Sequence, residues 1–427
     1  MPIIKKAQLL PAQLSGKIAA IVSKSVAHRQ LICAGLNRHA LSIRMSEKLS
    51  IDINTTLHCL CALGGTTEYK KNTWQISPIL LKQKNAAPLL LNCGESGTTL
   101  RLLLPVVCAL GFSAKFVGHG RLPERPLGEL CHVLREHGIQ ISSDSLPLAC
   151  AGQLKNGAFV IPGNISSQYI SGLLFALPLL KGESTLTLSS PLQSASYVKL
   201  TLDEMRQFGI VVEELPSGGW RIPGNQQYCA PKQELSGEGD WSNAAVFLAA
   251  GAFCQPITMT GLNLNSIQGD RAILGVLRQF GAGVLEQKNA VTISPGKLTG
   301  CDVDVSEIPD LLPVLAVLAT AAEGVTNLKN AGRLRLKESD RLASVCQLIT
   351  ALGGSCKEFP ESLQITGTAL RGGDADSCND HRIVMAAALA ALRCKHKVIL
   401  NGAESIRKSY PDFWQDYKKL GGKIDVV

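Results

Sequence analysis

Apolar and polar positions along the 427-residue chain repeat one arrangement six times. In each unit a small polar residue opens an apolar helix, and a β-like run follows. A second, amphipathic helix then ends on glycine, and a short hairpin closes the unit. The second helices end at Gly64, Gly138, Gly209, Gly281, Gly353 and Gly421, in steps of 74, 71, 72, 72 and 68 residues. A period of that size marks one supersecondary unit copied along the chain. The first helices are expected to follow Ser25, Thr98, Ser167, Asn243, Asp310 and Asp380, residue types that accept orphan amide hydrogens at helix N-termini. The β-like runs are ALSIRM, SAKFVG, STLTLSS, PITMTG, VTNLKN and KVILNG, and the closing strands include WQIS, WRIPG, VTISPG and LQITG. The terminal glycines suit the left-handed position after a helix.

The sixth unit stops at GGKIDVV, before its returning strand. The first twenty or so residues are the β-like material left over, so the N-terminal strand is expected to complete that unit. One domain is then discontinuous, residues 1–21 plus 236–427 with units four to six. The other, residues 22–235, is inserted and holds units one to three.

Composition narrows the class. Hydrophobic residues make up 45% and charged residues 18%, as in an ordinary globular protein. The longest apolar runs, such as Ile383 to Cys394, are too short to span a bilayer. The N-terminus MPIIKKAQLLPAQLSGK lacks the apolar core of a signal peptide. The 14 cysteines contain no CxxC pair and read as reduced, mostly buried thiols, with no metal site. A cytoplasmic enzyme with no membrane partner is expected. The net charge of +9 raises nucleic-acid binding, but Lys and Arg are dispersed and aromatics are 5%. Cations at a site for an anionic small molecule fit better.

Those cations cluster at unit starts and in loops. Lys24 and Arg29 flank Ser25 in SKSVAHR, Arg101 ends GESGTTLR, and His381 and Arg382 end NDHR. Arg121 and Arg125 lie in GRLPERPLG, Lys337 and Arg341 in RLKESDR, and Lys408 opens KSYPDFW. Helix N-termini with nearby cations favour anions, although each cation alone also fits a solvated surface. Asp310 is either a plain helix cap or, like Glu338 beside Lys337, a carboxylate kept ionised for proton transfer. Ser166, Ser167 and Gln168 offer neutral donors for a phosphate or a hydroxylated ring, or form a cap. GxxxxGK[ST], strand-bound GxGxxG, HExxH and GxSxG motifs are absent, so nucleotide hydrolysis, dinucleotide redox, zinc proteolysis and serine hydrolysis lack support. The residues thus describe a two-domain, cofactor-free enzyme for small, strongly anionic substrates.

SKSVAHR, GESGTTLR, GRLPERP, SSQYISGLL, RLKESDR, NDHR and KSYPDFW, in this order and along the whole chain, resemble the 3-phosphoshikimate 1-carboxyvinyltransferase family. The resemblance implies an α/β (α+β) fold, a two-domain inside-out barrel of six βαβαββ units, three per domain, with the active site in the cleft between domains. It implies transfer of the enolpyruvyl group of phosphoenolpyruvate to the 5-hydroxyl of shikimate 3-phosphate, releasing phosphate, on the way to chorismate and the aromatic amino acids. No cofactor or metal is implied, and the partners are the two small substrates, with no nucleic acid and a monomeric chain. Domain closure around the substrates is expected.

By matching motif, Lys24, Ser25, Arg29, Ser166, Ser167, Gln168, Ser194, Tyr197, Asp310, Arg333 and Lys337 would bind shikimate 3-phosphate. Lys24, Gly97, Arg121, Gln168, Arg341, His381, Arg382 and Lys408 would bind phosphoenolpyruvate. Asp310 would accept the proton of the 5-hydroxyl, Glu338 would give and take the proton at C3, and Lys24 would assist catalysis. Glu95 stands where many relatives carry Asn, and Arg333 where some carry Asn. Gly97 leaves room for a phosphoenolpyruvate mimic such as glyphosate. A UDP-N-acetylglucosamine enolpyruvyl transferase is the nearest alternative, but that family typically has a cysteine in the loop matching GHGRLPERPLG, which has none here. A non-catalytic anion-binding or scaffold protein of the same architecture is the other.

Overall fold

A computed structural model describes residues 4–80, 88–230 and 234–426. The chain divides into two compact units, Met1–Ser23 with Glu238–Val427, and Lys24–Gly237. These borders fall two residues after those expected from the repeat pattern.

Each of the six repeats builds one four-stranded sheet with a common order. In repeat two the strand Leu89–Asn92 lies parallel to Ala114–Val117, which pairs antiparallel with Leu148–Ala151, and that with Gln140–Ile141. The parallel pair needs a long crossover, and the first helix, Gly97–Leu110, supplies it. Of the antiparallel pairs, Gln140–Ile141 with Leu148–Ala151 is a hairpin, and the other is bridged by the second helix, Gly128–Glu136. Repeat three copies this with Ala158–Ile161, Ser184–Leu188, Trp220–Ile222 and Glu213–Glu214.

The last sheet is closed by the N-terminus. Lys6–Leu10 pairs antiparallel with both Val398–Asn401 and Lys423–Val426, in the position the truncated sixth unit leaves open. Two further strands escaped the sequence reading. Gly16–Ala19 supplies the first strand of repeat four, parallel to Ile257–Thr260. Glu234–Ser236 does the same for repeat one, parallel to Leu41–Arg44. At each passage between units, then, the chain leaves a sheet of one unit and enters a helix of the other. Neither segment shows strong apolar alternation, and each pairs with a strand about two hundred residues away, so local pattern carries no sign of it.

The first helices are buried on all sides. Every residue of Trp241–Gly251 and of His381–Ala391 is buried, as is all of Leu312–Ala319. These three touch one another, so sheets form the outside of that unit and helices its centre. A helix apolar all round fits only such a place. The second helices are amphipathic, and Ile273–Phe280 buries Ile273, Leu274, Val276, Leu277 and Phe280. All six terminal glycines adopt positive φ, between 75° and 104°, a backbone in which a Cβ is strained. Among the described residues no helix is long and apolar enough to cross a membrane.

In repeats one to four the first helix starts earlier than the sequence suggests. The side-chain caps are Ser96, Ser166 and Asp240 rather than Thr98, Ser167 and Asn243, and the first helix of repeat one begins at Lys24. Asp380 does cap its helix. Asp310 does not. The chain enters Leu312–Ala319 through the 3-10 turn Pro309–Leu311, and Leu311 occupies the cap without a side-chain bond. Pro309 and Pro313 bring no N–H that a cap could satisfy, and the Asp310 carboxylate is drawn instead to two guanidinium groups.

Candidate active site

In the unit 24–237 the first turns of the central helices carry the expected residues. Lys24 opens its helix and donates to the Asp52 carboxylate at 2.8 Å. Asp52 sits in the first turn of Ile51–Ala62, capped by Ser50. Arg29, one turn on, is buried and fully engaged. Its Nε donates to Thr201 Oγ1, Nη1 to the Ser25 carbonyl and Nη2 to the Tyr197 carbonyl, each at 2.8 Å. Burial pulls this guanidinium down to about 10, against the raising influence of Tyr197, Glu204 and Cys33. It stays charged at neutral pH, held by neutral oxygens. Tyr197 also lies under Arg29, its ring centroid 6.0 Å from Cζ. Ser194, just before Tyr197, is buried in a left-handed conformation at φ 55°.

Repeats two and three bring a second group together. Ser166 accepts from the Gln168 amide at 3.3 Å, and Gln168 Nε2 donates to Thr98 Oγ1 at 2.9 Å. Ser96 caps the next helix, accepting from Thr99 N at 3.1 Å, and Gly97 follows it. A methyl group on Gly97 would lie 2.4 Å from Arg101 Nη1 and 2.7 Å from Arg125 Nη1. Glycine here keeps a helix N-terminus open beside two guanidinium groups, an arrangement suited to an anion. Arg101 donates to the Pro126 carbonyl at 2.8 Å. Arg121 stands apart on a 3-10 turn, half-exposed, 3.6 Å from Glu124. The Glu95 carboxylate lies against Gly120, where a Cβ would come within 2.3 Å of its Oε2, and 3.9 Å from His119 Nε2.

In the other unit Arg341 is the centre. Its Nε donates to Asp380 Oδ2 at 2.9 Å, Nη1 to Asp310 Oδ1 at 2.7 Å, and Nη2 to Glu338 Oε2 at 3.0 Å. Only 2% of its side chain is exposed. Burial opposes its charge, but Asp380, Asp310 and Glu338 outweigh this and hold it above the ordinary guanidinium range. Arg382 donates to the Ser242 carbonyl at 2.8 Å and to Asp310 Oδ2 at 3.3 Å. Asp310 is therefore gripped by an arginine on each oxygen. Burial alone would raise its carboxyl; Arg382, Arg341 and Lys337 together hold it far below the usual carboxylate range.

The remaining residues of this unit frame that cluster. Asp380 takes Arg341 and also caps the helix that carries Arg382, accepting from Arg382 N at 2.8 Å. His381 is buried beside it, 3.8 Å from Asp380 Oδ1. Lys408 donates to the Asn379 carbonyl at 2.6 Å, and Arg333 to the Ser306 carbonyl at 2.9 Å. The arrangement offers concentrated positive charge for anions, with two mostly buried carboxylates, Asp310 and Glu338, for proton transfer.

Several functional candidates had no role in the sequence reading: Asp52, Thr201, Ser242 and Asp270. Asp52 follows the cap Ser50 and looks like ordinary first-turn acid; Asp270 lies in a polar turn. A signal was nonetheless present. In repeats two, three, five and six the segment between the central strand and the second helix carries Arg125, Ser194, Glu338 and Lys408. Aligning the repeats puts Asp270 in the same segment of repeat four and Asp52 just past it in repeat one.

A family model described as EPSP synthase (3-phosphoshikimate 1-carboxyvinyltransferase) matches residues 10–417. The 3-phosphoshikimate 1-carboxyvinyltransferase of Clostridium kluyveri is 40% identical over 428 residues, covering 99% of both chains. That of Clostridium acetobutylicum is 39% identical over 419 residues, covering 97% of both. Among solved structures, an EPSP synthase from Acinetobacter baumannii superposes with a TM-score of 0.81 at 25% identity, covering 99% of each chain. The enolpyruvyl transferase NikO from Streptomyces tendae reaches 0.78 at 18% identity over 99% of each, a likeness of fold.

Proposed function

This chain belongs to the EPSP synthase (3-phosphoshikimate 1-carboxyvinyltransferase) family, and from that premise we propose how its residues divide the reaction. The enzyme transfers the enolpyruvyl group of phosphoenolpyruvate to the 5-hydroxyl of shikimate 3-phosphate and releases phosphate. The observation that carries this reading is the family match from residue 10 to 417 together with relatives near 40% identity over their full length.

The chemistry asks for cations first. The two substrates bring about five negative charges near neutral pH. Lys24, Ser25, Arg29, Ser166, Ser167, Gln168, Ser194, Tyr197, Arg333 and Lys337 would take shikimate 3-phosphate, with Asp310 at its 5-hydroxyl. Lys24, Gly97, Arg121, Gln168, Arg341, His381, Arg382 and Lys408 would take phosphoenolpyruvate. Guanidinium forks match its carboxylate and phosphate. Asp310 would accept the proton of the 5-hydroxyl as its oxygen adds to C2. Glu338 would deliver a proton to C3 and withdraw one as phosphate leaves. Holding two reactants in line removes much of the entropic barrier. The reading takes the enzyme as a cytoplasmic monomer that uses no metal and no nucleic acid.

Phosphate release from phosphoenolpyruvate tests this, with shikimate 3-phosphate and UDP-N-acetylglucosamine offered separately. Release with shikimate 3-phosphate alone is expected. Release with the nucleotide sugar alone would keep the chemistry and overturn the acceptor. Silence with both would overturn the activity.

A further inference from the structure

We infer that Asp270 is a positioning residue for Arg382 and Asp310, acting through Ser242. The inference rests on the reading above and names a residue outside its site list. Asp270 lies in the 3-10 turn Gly269–Ala272 and is 3% exposed. Its carboxylate accepts the hydroxyl of Ser242, in the first turn of Trp241–Gly251. The Ser242 carbonyl accepts from Arg382 Nη1 at 2.8 Å, and Arg382 Nη2 donates to Asp310 Oδ2 at 3.3 Å. Two residues, Ser242 and Arg382, thus connect a buried carboxyl to the proposed base through three hydrogen bonds.

The same segment fastens that helix start a second time. Gln268 Oε1 accepts from Trp241 N at 3.2 Å, while Gln268 Nε2 donates to the Gly239 carbonyl at 2.8 Å. The helix start would be held without Asp270, so a buried carboxyl at this point calls for another reason. Burying one is costly unless it is well paired. The charged groups facing it are Asp310 from the turn Pro309–Leu311, Arg382 from the helix His381–Ala391, and Asp240 at the cap of Trp241–Gly251. On its own turn Arg271 is exposed and donates to the Leu264 carbonyl, and Arg278 on the following helix is taken by Glu286. Burial, then the charge of Asp310, push Asp270 up to about 7, against Arg382 and the Ser242 hydroxyl. Near neutral pH it therefore exchanges a proton. Protonated, it adds no negative charge to those of Asp310 and Asp240 that already act on Arg382. Ionised, it adds one behind the guanidinium proposed to take phosphoenolpyruvate and so weakens the pull on that anion.

Asp270→Asn imitates the protonated carboxyl and tests this. Because phosphoenolpyruvate itself titrates nearby, the quantity to follow is the variant-to-parent ratio of kcat/KM for phosphoenolpyruvate. That ratio is expected to stay near one at about pH 6 and to rise several-fold by about pH 8. Asp270→Ala should lose activity at both, whereas Asn keeps it at both. A flat ratio, or equal losses in Asn and Ala at every pH, would overturn the inference by leaving a purely structural residue. A second readout needs no turnover. With its folded-state value above the unfolded one, Asp270 holds a proton in the folded protein that the unfolded chain lacks between about pH 4 and 7. Its contribution to stability is complete below that window and falls as pH rises through it. The Tm of Asp270→Asn should therefore gain on the parent by several degrees across the window. Ser242→Ala, which removes the hydroxyl that favours the ionised form, should move the midpoint upward. An unchanged Tm gap and an unmoved midpoint would sink the inference even if phosphate release proceeds normally. A clear shift in both with no phosphate release would instead locate the failure in the proposed activity.

Discussion

Arg341→Ala is expected to abolish turnover and to destabilise the fold by roughly 3–5 kcal/mol, the cost of leaving buried charge without its partner. Arg341 is almost wholly buried and donates to three carboxylates, on Asp380, Asp310 and Glu338. Removing it sets three negative charges against one another in a site shielded from water. Asp380, with no exposed side-chain surface, has the least recourse to solvent. Arg341→Lys separates the two consequences. An ammonium restores the charge but cannot reach three acceptors from a planar fork, so most of the stability should return while activity stays low. Urea unfolding of the three proteins gives the stabilities, and phosphate release gives the activity. An alanine variant within roughly 1 kcal/mol of the parent, the range of an exposed pair, would show that this network does not hold the unit together.

Asp310→Asn should lower kcat by roughly 10²–10⁴, the usual contribution of a general base, and change KM for either substrate much less. The position poses a chemical problem that its surroundings answer. A carboxylate gripped by Arg341 and Arg382 is firmly ionised but a poor proton acceptor. Those same guanidinium groups are proposed to turn toward phosphoenolpyruvate, and as they do Asp310 regains basicity when the 5-hydroxyl arrives. The free enzyme shows the opposite side of this coupling. Asp310 has a folded-state value below the unfolded one, so its stabilising contribution is complete above about pH 4 and is lost as pH falls from there. The stability gap between parent and Asp310→Asn should therefore narrow on acidification below about pH 4. Normal turnover by the Asn variant would remove Asp310 from the base role.

The fold was legible where the chain repeats itself. Six glycines ended six helices with positive φ, and the missing strand of the sixth unit was found at Lys6–Leu10. Gly16–Ala19 and Glu234–Ser236 were not, because short polar strands reveal themselves only through distant partners. Helix starts were misplaced by one to three residues because Ser-, Thr- and Asn-rich entries offer several plausible caps, and the structure uses Ser96, Ser166 and Asp240. Asp310 shows a different limit. Position left it either a cap or an ionised carboxylate, and two arginines 31 and 72 residues onward claim that carboxylate. Cations in unit-start and loop motifs could be picked out by residue type. Their counter-charges, Asp52 beside Lys24 and Asp270 behind Ser242, sit in ordinary-looking turns and become visible only when the repeats are laid over one another.

Enolpyruvyl transfer as proposed above adds and then withdraws a proton at C3 of phosphoenolpyruvate while joining its C2 to the shikimate oxygen. Running the reaction in deuterium oxide and weighing the product reads that step directly. A protonating carboxyl in exchange with solvent delivers deuterium to C3, and elimination removes either isotope, so the product's vinyl carbon should carry deuterium in a substantial fraction of molecules. Product formed at full rate with no deuterium at that carbon would contradict the account, because no proton would then have been added there.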